Sequence, residues 1–211
     1  AGESDFTSQI LQTHAHRDLV DHGFWEHQPF SQSANPSHTD LAMLAFARED
    51  VRRDLQQALV FRAMQLPNAA VRTLLPILDR SVDAKNIFLQ LQRGFAWEEY
   101  LHTGYVSEFR RRILTSINQD IQIPGVPGEE FRRQSDSSPI SDEAIRLYLR
   151  GDPSAATQQL TDDTAESMYA AYVLFHDAGR LDLSEEAALQ LSSRYPNHEL
   201  TLLLSALSNV E

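Results

Sequence analysis

Apolar side chains recur along this sequence at helical spacing, with no convincing stretch at the every-second-residue spacing of a strand. The clearest stretch opens at Asp50: Val51, Leu55, Ala58, Leu59 and Arg62 fall at i, i+4, i+7, i+8 and i+11, one side of a helix with Arg62 at its margin. Pro67 is expected to end that helix and Asn68 to cap the next. There Val71, Leu74, Leu75 and Leu78 keep the period and Pro76 forces a kink or an early end. Val82, Ile87, Phe88 and Leu91 follow, then Phe95, Ala96, Tyr100 and Leu101 up to Gly104, then Tyr105, Phe109, Ile113 and Ile117. Ahead of Asp50 the pattern is looser. Residues 5–22 read as a helix stopped by Gly23, residues 23–37 as a loop pinned by Phe24, Trp25 and Phe30, and Ser37 or Thr39 as the cap of a short helix through Phe46.

The period vanishes between Ile121 and Ile140, where Pro124, Gly125, Pro127, Gly128 and Pro139 sit among serines. Residues 123–140 are therefore expected to be a linker or long loop. It would separate an N-terminal helical subdomain, residues 1–122, from a C-terminal one, residues 141–211. Beyond it Ser141 opens a helix with Ala144, Ile145, Leu147 and Tyr148 that stops at Gly151, and Pro153 suits the first turn of a short helix with Ala155, Ala156 and Leu160. Thr161 or Thr164 is expected to cap Met168, Ala171, Tyr172 and Phe175 up to Gly179. Ser184 would cap Ala187, Ala188 and Leu191 up to Pro196, and Asn197 would cap Leu200, Leu203, Leu204 and Leu207. The predicted fold class is all-α, built of stacked antiparallel helical hairpins.

Paired helices with a turn glycine and a closing proline resemble tetratricopeptide repeats, best over residues 141–211. In residues 165–196, Ala171 and Tyr172 hold the small and large packing positions of the first helix. Phe175-x-x-x-Gly179 supplies the aromatic and the turn, Ala188 lies in the second helix, and Pro196 closes a 32-residue unit. Ser184 stands where the inter-helix alanine is usual. Leu147-x-x-x-Gly151 with Ala156 matches in part, although the 28 residues from Gly151 to Gly179 fall short of a ~34-residue period. Tyr100-x-x-x-Gly104 is followed by Phe109 rather than alanine, and residues 1–80 show no match. The resemblance implies a solenoid whose groove binds another protein or a peptide segment, as an adaptor, assembly factor or chaperone does, with no chemistry of its own.

Charge narrows the partners. The 211 residues carry a formal net charge of −12, which opposes nucleic acid and anionic lipid alike. Residues 1–122 hold 12 basic and 15 acidic side chains, and residues 123–211 hold 6 and 15, so the C-terminal part is the acidic one. With Lys85 the only lysine, the basic residues are arginines, suited to planar or stacking contacts. The absence of cysteine removes thiol chemistry, disulfides and cysteine-ligated metals, and suits either the cytoplasm or a bacterial periplasm. A start at Ala1 rather than Met fits a processed chain, which would favour export, or a regulatory piece of a longer protein. No apolar run approaches a membrane span.

The candidate chemistry is sparse. Five of the eight histidines, His14, His16, His22, His27 and His38, fall in the first 38 residues. His14, Asp18 and His22 are four apart in succession and can line one helix face, a geometry able to hold a divalent metal. A metal-dependent enzyme built on these three is the alternative reading, though no H-E-x-x-H accompanies them. No G-x-S-x-G, G-x-G-x-x-G or G-x-x-x-x-G-K-[ST] occurs, and no cofactor is implied. The pairs Glu98–Glu99 and Asp162–Asp163 are adjacent, point apart on a helix and are expected to be solvated. Trp25 and Trp97 with Tyr100 read as core aromatics. Arg110, Arg111 and Arg112, spread around their helix away from the Phe109–Ile113 face, are candidates for an acidic partner, including the chain's own C-terminal part. Tyr169, Tyr172 and His176 are candidates for lining the C-terminal groove.

Overall fold

The computed structural model describes residues 43–45, 47–118, 123, 126–127, 138–160 and 162–208. The helix expected over residues 5–22, the loop over 23–37 and the set His14, Asp18 and His22 lie outside them. All regular structure among the described residues is helical, without a strand. No described helix is long and apolar enough to cross a membrane. The chain divides into two compact units, residues 1–91 and 92–211, and the division falls inside a helix.

In the first unit α1 (Glu49–Ala63) buries Val51, Leu55, Ala58, Leu59 and Ala63, the stripe its spacing predicts, with Ala63 in the place beside Arg62. Arg62 is half-buried at the margin and donates to Gln90 Oε1 at 3.3 Å. Pro67 does not end this helix. It occupies the first turn of α2 (Pro67–Leu74), where a missing N–H costs no helical hydrogen bond. The turn before it is closed by Gln65 at a φ of 58°, with the Leu66 N–H donating to the Phe61 carbonyl at 2.9 Å. Pro76 does shorten its helix: α2 stops at Leu74 and the chain continues as a 3₁₀ segment, Leu75–Arg80. The long helix α3 (Val82–Thr103) begins here and continues into the second unit.

The second unit adds α4 (Glu108–Ile117), α5 (Asp142–Leu149), α6 (Pro153–Thr157), α7 (Ala165–Asp177), α8 (Leu181–Arg194) and α9 (Glu199–Ser208). The predicted caps form at Ser141, whose hydroxyl accepts from the Ala144 N–H at 3.1 Å, and at Thr164, which accepts from Ser167 at 3.2 Å. Ser184 is not a cap. It lies inside α8, buried, where its hydroxyl donates to the Tyr172 carbonyl of α7 at 3.0 Å. At the expected Asn197 cap, His198 Nδ1 instead accepts from the Leu200 N–H at 3.2 Å. Across the segment 123–140, α4 packs on α5 and on α7, and Ile123, Val126 and Ile140 are buried.

Three helix ends share one device. Gly104, Gly151 and Gly179 take φ values of 68°, 85° and 74°. Behind Gly151 the Asp152 N–H reaches back to the Leu147 carbonyl at 3.0 Å, and behind Gly179 the Arg180 N–H reaches the Phe175 carbonyl at 2.8 Å. This closure satisfies a carbonyl that the helix itself leaves open. After Gly179 the chain reverses into α8, which packs along α7.

A Cβ added at Gly179 would meet nothing within 4 Å, so a side chain there costs backbone strain alone. Gly179→Ala is expected to lower stability by ~1–2 kcal/mol, read as a midpoint shift at constant slope in urea unfolding.

Candidate functional site

The second unit buries charge at one corner. On α3 the stripe Phe88, Leu91, Gln92, Phe95, Ala96 and Glu99 follows i, i+3, i+4, i+7, i+8 and i+11, so Gln92 and Glu99 occupy core positions among apolar residues. Val106, Phe109, Arg110, Ile113 and Leu114 repeat the pattern through α4, which carries Arg110 inward. Glu99 is 2% exposed and Arg110 4% exposed. A buried charge needs a partner, and each supplies the other's.

Glu99 is close to saturated. Its Oε1 accepts from Arg110 Nε at 3.3 Å and from the Tyr169 hydroxyl at 2.8 Å, and its Oε2 accepts from the Ser107 N–H at 2.8 Å. Ser107 also caps α4, its hydroxyl accepting from the Arg110 N–H at 3.3 Å. Arg110 Nη1 donates to Gln92 Oε1, and its guanidinium lies over the Phe95 ring, 4.8 Å from the centroid. Burial opposes the Arg110 charge. Glu99, with Tyr169, Tyr148 and Asp177 around it, outweighs that penalty and holds the guanidinium above its ordinary value. Beside this pair the Tyr148 hydroxyl donates to Asp177 Oδ2 at 2.6 Å, and the Tyr148 ring packs 5.4 Å from Phe109. Burial first, and then the neighbouring carboxylates, push the Tyr148 and Tyr169 hydroxyls well above their ordinary values, so both remain donors.

The remaining ionisable groups border this pair. Arg111 pairs with Glu108 at 2.7 Å, both buried, and its guanidinium lies 6.0 Å from the Tyr105 ring centre. Glu166, in the first turn of α7, accepts from the Tyr105 hydroxyl and from the Glu108 N–H at 3.0 Å. Burial pushes Glu166 up to about 7, with Glu99 adding to it against the two donors and Arg111. Burial and then Glu99 push Glu98 up to about 7 as well, against the pull of Arg110. Such values suit proton transfer, but the Glu99 and Glu166 oxygens are engaged with structural partners.

The arginine triplet is thus not turned away from the core throughout, since Arg110 and Arg111 are buried. Arg110 and Arg111 are buried and paired within the chain, which removes them from any surface offered to an acidic partner. Arg112, more exposed, pairs with Asp142 in the first turn of α5. Of the two acidic pairs expected to be solvated, Asp162 and Asp163 are exposed, whereas Glu99 is core. Trp97 and Tyr100 are half-buried and stacked at 6.3 Å.

Tyr169, Tyr172 and His176 do come together. Tyr169 and Tyr172 stack with ring centres 6.0 Å apart, and Tyr172 meets His176 at 6.3 Å. Tyr169 is buried and fixed by Glu99, while Tyr172 and His176 are half-buried. His176 Nδ1 lies 3.8 Å from Asp177. The result is a ladder of three rings anchored at one end in the charged corner. Among the described residues no group of three or more His, Asp or Glu is arranged to hold a metal ion. No protein-family model, curated protein or solved structure gives a significant match to the chain.

Removing Arg110 strands Glu99 without its cation. Arg110→Ala is expected to cost ~3–5 kcal/mol, with part returned by adding Glu99→Gln. Arg112→Ala, whose partner Asp142 has a 97% exposed side chain, is expected to cost less than ~1 kcal/mol. Chemical denaturation of the three variants measures the contrast, and equal losses at Arg110 and Arg112 would refute it.

Proposed function

We propose that this chain is a non-enzymatic interaction module, a helical scaffold of the tetratricopeptide-like kind that holds a segment of another protein. The ring ladder on α7 is the observation that carries the reading. Tyr172 and His176 present half-exposed rings, and the stacked Tyr169 beneath them is locked by its 2.8 Å hydrogen bond to Glu99. Aromatic groups held in one rotamer bury large area on binding while losing little further freedom, which is why they dominate interface energetics. The net charge of −12 favours a protein partner over nucleic acid.

Chemistry is the less economical use of these groups. The carboxylates of Glu99, Glu108 and Glu166 bond to arginines, tyrosines and backbone amides of α3, α4 and α7 and the turns between them. A general base must instead offer an oxygen to a substrate.

The test uses the purified chain as bait in an extract of its source, with Tyr172→Ala and His176→Ala as paired baits. A stoichiometric protein that survives moderate salt, and whose Kd weakens by ~10-fold or more with either substitution, is the expected result. Circular dichroism must show that both variants keep their helices. Undiminished binding by both variants would move the contact off α7. Bound metal in the absence of any protein partner would favour chemistry at His14, Asp18 and His22 instead.

A further inference from the structure

The helix α9 starts on a residue that can accept a hydrogen bond in only one of its two charge states. His198 immediately precedes α9, and its Nδ1 accepts from the Leu200 N–H at 3.2 Å. That amide is one of the donors a helix leaves open at its start, and the usual acceptor is an oxygen of Ser, Thr, Asp or Asn. An imidazole can replace that oxygen while it is neutral and carries its proton on Nε2. The imidazolium has an N–H on both nitrogens and no acceptor. Two rings flank His198 edge-on, Tyr105 and Tyr195, each 6.4 Å away with interplanar angles of 87° and 74°. Both are themselves tied, the Tyr195 hydroxyl donating to the Asp163 carbonyl at 2.7 Å and the Tyr105 hydroxyl to Glu166.

We infer that His198 is a proton-sensitive helix cap, in which the neutral imidazole closes the first turn of α9 and protonation opens it. The groups facing it come from several elements. Glu199 of α9 itself lies 3.7 Å from Nδ1. Tyr105, ahead of α4, brings Arg111 of α4 over its ring at 6.0 Å and Glu166 of α7 on its hydroxyl. Tyr195, at the end of α8, brings Asp163 and its partner Arg194. Burial first, and then Glu166, push the Tyr105 hydroxyl up, so that ring stays neutral.

Two effects compete when His198 takes a proton. Glu199 attracts the imidazolium, but its side chain is 54% exposed, and an ion pair so open to water contributes little. Against it stand the lost cap, an N–H turned toward the Leu200 N–H, and a positive charge at the positive end of the α9 dipole. The cap therefore decides the sign. It is present while the imidazole is neutral and lost as pH falls through the range, between about 5 and 8, where histidine changes charge. The loosening stays local. The Thr201 hydroxyl still ties the first turn to the Tyr195 carbonyl at 2.7 Å, and Leu200, Leu203 and Leu204 remain buried contacts of α9.

Amide exchange at Leu200 in the full chain, followed by NMR from about pH 8 to 5 and corrected for intrinsic catalysis, tests the cap in the wild type, His198→Asn and His198→Ala. In the wild type exchange is expected to accelerate about 5-fold as the pH falls, in step with the imidazole titration. His198→Asn keeps an acceptor that does not titrate here and is expected to stay slow throughout, while His198→Ala exchanges fast at both ends. Wild-type exchange that ignores pH overturns the inference. So does equal acceleration in the wild type and His198→Asn, which would assign the effect to another group such as Glu166. Nitrogen NMR of the wild-type imidazole at about pH 8 decides even if a variant fails to fold. A proton on Nε2 supports the cap, and a proton on Nδ1 removes it.

Discussion

A carboxylate and a guanidinium that must both leave water set the terms for the second unit. Glu99 and Arg110 are each placed on the apolar stripe of their own helix, at a position where leucine would be ordinary. Desolvating either alone would cost several kcal/mol, so α3 and α4 fold together in an arrangement that brings the two within hydrogen-bond range. The remaining lone pairs then demand donors, which Tyr169 from α7 and the Ser107 amide provide. An apolar pair at the same positions could slide by a turn at little cost. A carboxylate with three directed donors fits one register, and that register also fixes where the ring ladder of α7 stands.

The helices themselves were largely legible in the sequence. The apolar period located α1, α4, α5 and α7, and the glycines at 104, 151 and 179 marked where the chain turns; at 151 and 179 the left-handed residue lets the next amide cap the helix end. Proline was the ambiguous signal. Pro67 and Pro76 both break the helical pattern locally, yet Pro67 starts a helix and Pro76 follows the end of one, and only the neighbouring turn at Gln65 distinguishes the two cases.

The charged corner was legible in principle and was missed for a physical reason. Taken one helix at a time, a glutamate or an arginine on an apolar stripe looks like a flaw at its margin, and the ordinary expectation for a charge is solvent. Gln92 and Glu99 are seven residues apart in α3, and Arg110 lies four before Leu114 in α4. The informative pattern is opposite charge at core positions of consecutive helices. It appears only when both stripes are aligned, before any side chain is assigned to the surface. The set His14, Asp18 and His22 lies outside the described residues.

The same reasoning bears on what the resemblance to helical repeats means. An aromatic or leucine followed four residues later by a turn glycine suits any helix that ends in a left-handed residue with its carbonyl capped, so Tyr100, Leu147 and Phe175 carry information about helix ends before they carry information about kinship. The crossing between helices is the more demanding feature, because two backbones approach closely only where side chains are small. At the α7–α8 crossing Ser184 is buried and its hydroxyl donates a hydrogen bond to the Tyr172 carbonyl at 3.0 Å. Alanine would fit the space, but serine also ties the second helix to the residue that stands in the middle of the ring ladder. The departure from the repeat pattern therefore stiffens the surface proposed for binding, as a scaffold that presents aromatic groups to a partner requires.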